Sequence, residues 1–143
     1  MFILKQGRTK FMDLPIAASV AIAKGSLVGW SSGTIVAVTT TSHPSTHIGV
    51  LAKASATTDA DYAVARTIAV EVPVENATVW EADVTATLVV ADVGLYCDLT
   101  NAYTVNRAAS TYDDVQCVGF LTTTKGLFHL NLATSGIGNI IGA

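Results

Sequence analysis

Thr67-Ile68-Ala69-Val70-Glu71-Val72-Pro73-Val74 decides the fold class. Ile68, Val70, Val72 and Val74 fall on one face of an extended chain, and Thr67, Ala69, Glu71 and Pro73 on the other, the pattern of a strand buried on one side. Pro73 cannot donate to a ladder and so marks an edge strand or a strand end. Working outward, Leu27-Val28-Gly29-Trp30 and Thr34-Ile35-Val36-Ala37-Val38 flank Ser31-Ser32-Gly33, a hairpin loop in which Gly33 supplies a positive φ. Val115 to Leu121 and Leu127 to Leu132 flank a Gly-containing turn region, Thr122 to Gly126. Thr and Val recur throughout, and β-branched side chains suit a pleated surface better than a helix. The expectation is an all-β chain, a single small β-barrel or β-sandwich of short antiparallel strands.

One order of features occurs twice. Gly25-Ser26-Leu27-Val28-Gly29-Trp30 opens a hairpin that is followed by Ile48-Gly49-Val50-Leu51, and Gly94-Leu95-Tyr96-Cys97-Asp98-Leu99 opens another that is followed by Val118-Gly119-Phe120-Leu121. Both hairpins turn through small polar residues, Ser31-Ser32-Gly33 and Thr100-Asn101-Ala102. Two copies are too few for a solenoid and read as two related β-modules. Outside them, residues 1–13 read as a flexible apolar arm, residues 14–133 as the β domain, and residues 134–143 as a Gly-rich tail.

Composition narrows the function. The 143 residues are 50% hydrophobic and only 13% charged, with 8 Lys plus Arg against 11 Asp plus Glu and a net charge of -3. About 25% charged residues is usual. Dispersed basic residues on a weakly acidic chain offer no electrostatic footprint for nucleic acid. No run approaches the ~20 apolar residues of a membrane span. The apolar start Phe2-Ile3-Leu4 ends at Lys5, too soon for a secretory signal, so the chain is expected to stay where it is made, with Cys97 and Cys117 as free buried thiols. The chain covers itself with Thr, Ser, Ala and Asn in place of charge, and depletion of charge is what the core of a contact with another protein favours, because a buried charge without a partner costs several kcal/mol.

No constellation carries catalysis, so the expectation is no enzyme, no cofactor and no metal. His43 and His47 are four apart, but Pro44 disfavours the helix that would align them, and both read as polar-loop histidines; His129 lies on the polar face of a strand. Asp59 with Asp61, and Asp113 with Asp114, read as solvated turn residues, and no nucleophile elbow or phosphate loop occurs. Trp80 stands between Thr78-Val79 and Glu81-Ala82-Asp83, a polar neighbourhood that makes it a contact candidate as well as a core candidate. Phe2, Ile3, Leu4, Phe11, Met12 and Trp80 are the expected partner-contact residues.

The two glycine-centred runs, from Lys24-Gly25-Ser26-Leu27-Val28 through Val118-Gly119-Phe120-Leu121, resemble the head decoration (cement) proteins of tailed bacteriophages over about residues 15–132. The resemblance implies a β-tulip-like or sandwich fold, a homotrimer, and a place on the exterior of the virion after synthesis in the host cytoplasm. The partner it implies is the major capsid protein, whose neighbouring subunits the protein would bridge, holding the expanded shell, with the arm 1–13 as its contact. Cutting off residues 1–13 is then expected to leave a folded protein that no longer decorates capsids. Other phage structural modules, such as tail-tube or fibre domains, and trimeric β-clip enzymes share parts of the pattern, although no dUTPase-like motif is present.

Overall fold

The computed structural model describes residues 1–39, 46–75 and 77–131. His43, Leu132 and the tail 134–143 lie outside them.

Among the described residues, eleven strands form two sheets: β1 (Ile3–Gln6), β2 (Thr9–Ile16), β3 (Leu27–Ser31), β4 (Thr34–Ala37), β5 (Thr46–Leu51), β6 (Arg66–Pro73), β7 (Val79–Thr85), β8 (Tyr96–Asn101), β9 (Thr104–Asn106), β10 (Val115–Thr122) and β11 (Lys125–Leu130). The one helical element described is a 3-10 turn at Val90–Asp92. The all-β expectation holds.

The order β7-β11-β10-β8-β9 closes into a barrel through a parallel β7–β9 ladder, with β1 added to β7. Closure removes the exposed edges that an open sheet of this length would present. The second sheet runs β2-β6-β5-β3-β4. Strand for strand this is the same order, and β4 lies beside β2 as β9 lies beside β7, though with no ladder between them.

The duplicated sequence pattern is therefore a duplicated topology. The links agree as well: residues 17–26 and 86–95 join the first and second strands of each unit, 32–33 and 102–103 the second and third, 38–45 and 107–114 the third and fourth. Only the last link differs, 52–65 against 123–124.

Period-two patterning sends its residues where the alternation predicts. Ile68, Val70 and Val72 are buried with Leu14, Ile16, Val28, Ile35, Ile48 and Leu51 inside the curled second sheet. Pro73 is the last residue of β6, a strand flanked by β2 and β5, so it marks a strand end and not an edge. The first hairpin turns on Ser32 and Gly33, with φ 50° and 83°, the positive pair that matches the twist of the flanking strands. That loop is one residue shorter than expected. In β5, Gly49 passes directly against the Glu71 carbonyl oxygen, where any Cβ would collide.

The barrel core holds Trp80, Phe128, Leu99, Val105, Cys97 and Cys117. Leu27, Val38 and Val50 from the second sheet belong to the same cluster, so the two units share one apolar junction. Burial pushes the Cys97 thiol up to about 11 and raises Cys117 as well. A thiolate is the reactive form. Both cysteines are therefore expected to resist a disulfide thiol reagent at pH 8 in the native protein and to react, two per chain, only after denaturant. A rapid native reaction of either would contradict their placement.

Candidate functional site

Residues 1–13 are not an arm in the structure. Ile3, Leu4 and Gln6 pair with β7, and Thr9 to Ile16 pair residue by residue with β6. The segment stitches the barrel to the second sheet. The physical reason is non-local: four residues of β1 carry too little apolar surface to fold alone, but the β7 edge supplies a template and the junction buries Phe2 to 3% exposure.

The six expected contact residues separate into two groups. Phe2, Ile3, Leu4 and Phe11 come together along a groove of about 400 Å³, completed by Val50 and Leu51 and rimmed by Lys24 and Glu71. Phe2 forms its floor, while Ile3 is 38% and Phe11 66% exposed.

Alternation explains why Phe11 is outside. It faces away from the curled sheet, whereas Met12, its neighbour, is partly buried against the core cluster that holds Leu14 and Val70 and leaves the contact set. Trp80 leaves it too. It is fully buried in the barrel, its indole N–H donating to Thr78 Oγ1 at 3.0 Å. The polar residues beside it misled: Trp80, Ala82 and Val84 point inward, and Glu81 points outward to Lys5 Nζ at 3.6 Å. That alternation was the signal that could have placed it.

Four of the acidic and histidine candidates, Asp59, Asp61, His47 and Asp114, make ion-pair contacts within the chain. Asp59 and Asp61 each lie 3.4 Å from the Arg66 guanidinium, which also donates to Ser55 Oγ at 2.7 Å. His47 is not a loop residue. It sits in β5, buried, with Nε2 3.4 Å from Asp114 Oδ1 across the junction of the two units. Asp114, read as solvated, is 2% exposed.

Asp92 takes a bidentate grip from Arg107, both bonds 2.9 Å, and this hydrogen bonding holds its carboxyl below the usual carboxylate range. Asp98 accepts the backbone N–H groups of Thr111, Tyr112 and Asp113 at 2.7–2.8 Å. Asp92, Asp98 and His47 were not legible as fasteners because their partners lie 13 to 67 residues away and leave no local pattern. Among the described residues, no three His, Cys, Asp or Glu side chains gather as a metal site.

The groove is therefore the place where the expected contact residues converge. Its walls are apolar, its rim carries one cation and one anion, and it can bury apolar side chains of another molecule. Glu71 at the rim accepts from Thr9 Oγ1 at 2.7 Å. Neither family models nor curated proteins nor solved structures match the chain.

Proposed function

We propose that the protein is a virion structural protein without catalytic activity, one that decorates the expanded head of a tailed phage as a homotrimer and bridges subunits of the major capsid protein. The observation that carries this reading is the open apolar groove at the junction of the two units, in which Ile3 and Phe11 stand exposed over a floor of Phe2. It rests further on the resemblance carried by the two glycine-centred runs. Stabilisation follows from mass action: a molecule that binds the expanded shell and not its precursor lowers the free energy of the expanded state by its own binding free energy.

Burying a Phe side chain is worth about 1.5–3 kcal/mol. Phe11→Asp is therefore expected to weaken binding to expanded capsids about ten- to a hundredfold. At a position 66% exposed, the same change should move folding stability by no more than about 0.5 kcal/mol. Co-sedimentation with purified expanded capsids reads this directly. Binding of the variant at wild-type strength would remove the groove from the interface, and absence of wild-type binding would remove the capsid reading.

A further inference from the structure

The duplicated topology provides an internal comparison, and the two units differ in what covers the start of their second strand. In the second sheet, Gly25 N–H donates to Leu51 O at 2.9 Å and Leu51 N–H to Ser26 O at 2.8 Å; in the barrel, Gly94 N–H donates to Cys117 O at 2.7 Å and Cys117 N–H to Leu95 O at 2.9 Å. Gly25 and Gly94 both take positive φ, 82° and 101°. Residues 25–27 and 94–96 are thus the same structural feature in the two units.

Their surroundings are opposite. Residues 25–27 are covered: the Met1 side chain lies on Gly25, Phe2 N–H donates to Gly25 O at 2.9 Å, and Ala102, in the β8–β9 turn of the barrel, accepts the Leu27 N–H at 2.6 Å. Ser26 and Leu27 are accordingly 1% and 0% exposed. Over residues 94–96 the cover is a single side-chain hydrogen bond, Gln116 Nε2 donating to Gly94 O at 3.2 Å, and no chain segment lies on them. Nothing lies within 4 Å of a Cβ built on Gly94, and Val93, Leu95 and Tyr96 are each 47% exposed. Folding does not call for large apolar side chains here, because the counterparts of Val93 and Leu95 in the other unit are Lys24 and Ser26. The one charged residue in the link 86–95, Asp92, is buried and neutralised by Arg107, whose side chain is 38% exposed.

The contact within the chain is heterologous, since the barrel offers a turn and the second sheet offers the covered face. Each chain is left with the complementary pair: the β3–β4 turn of the second sheet, exposed through residues 31–33, and the uncovered face at residues 93–96 of the barrel. We propose that a second copy of this chain covers residues 93–96 with its β3–β4 turn, repeating between chains the contact that joins the two units within one. A heterologous contact closes into a ring when its rotation allows. Three copies, the number in the proposed function, would give a ring of six units. The inference goes beyond the capsid reading and is tested without capsids.

Sedimentation velocity of the wild type is expected to show a closed oligomer, and Leu95→Asp or Tyr96→Asp a monomer that still unfolds cooperatively, at a melting temperature that no longer depends on protein concentration. Cysteines placed by Ser31→Cys and Leu95→Cys report the direction of the contact, because native Cys97 and Cys117 are buried. The double variant should cross-link into a ladder ending at the ring size, the two single variants mixed should give only dimers, and neither alone should link to itself. A wild type that stays monomeric at its solubility limit would overturn the proposal. So would an intact oligomer in Leu95→Asp, or Leu95→Cys linking to its own copy, which would make the face a two-fold contact.

Discussion

A chain lacking residues 1–13 is expected not to fold. The truncation removes all of β1 and the Thr9, Lys10, Phe11, Met12 and Asp13 positions of β2, five of the eight register pairs that hold β2 to β6. It deletes Phe2, which is 3% exposed, and uncovers Gly25 and the junction residues Leu27 and Val50. Removing a buried Phe side chain alone costs about 3–5 kcal/mol. Whole domains have about 5–15 kcal/mol in hand. Losing the strand pairing and the junction cover as well exceeds that margin. The measurement is a thermal melt followed by near-ultraviolet circular dichroism: the truncated chain should show no cooperative transition, and Phe2→Ala should melt about 10 °C below the wild type. A truncated chain melting like the full one would mean that β1 and β2 only rest on a fold complete without them. The result also separates two reasons for lost capsid binding, since loss through unfolding says nothing about a contact. Phe11→Asp is the cleaner probe of the groove for that reason.

The fold was legible where its signals are local. Alternation at Ile68, Val70 and Val72 follows from the two-residue period of a strand, and Gly25 and Gly94 announce the duplication because both need positive φ. What the alternation could not say is which strand lies beside which. The same apolar residues Phe2, Ile3 and Leu4 suit a flexible arm or a short strand, and the edge of β7, some 75 residues away, decides between them. Phe11 and Met12 are equally apolar in sequence, yet the register of β2 on β6 puts one outside and one inside. The groove was half visible for the same reason: four of its residues were named as contacts, but Val50 and Leu51 join them only through the packing of the two units. Polar fasteners were the least legible. A carboxylate that binds three backbone N–H groups in a later loop has the same sequence appearance as one that binds water.

That carboxylate carries the second large effect. Asp98→Ala is expected to destabilise the protein by about 3–5 kcal/mol, since each hydrogen bond to a charged group contributes about 1.5–3 kcal/mol and three are lost. Asp98 is 3% exposed, its Oδ1 takes the N–H groups of Tyr112 and Asp113, and its Oδ2 takes that of Thr111. These bonds turn the chain back before β10 and fix Asp113 at φ 54°, a conformation that costs an L-residue energy unless its surroundings impose it. The next residue, Asp114, meets His47 of the second sheet at 3.4 Å, so a loosened loop also loosens the junction. Thr111 and Tyr112 are exposed, and water can replace part of what the loop loses, which keeps the cost below three full hydrogen bonds to a charge. Asp98→Asn should recover part of the loss: its one carbonyl oxygen can serve two of the three donors, while its amide group faces the third as a second donor. The order wild type, Asn, Ala in denaturant midpoint, with amides 111–113 exchanging fastest in the Ala variant, is the expected result. Equal midpoints for Asn and Ala would show that the carboxylate acts by its charge alone, and an unchanged midpoint for Ala would show that the loop holds its shape without it.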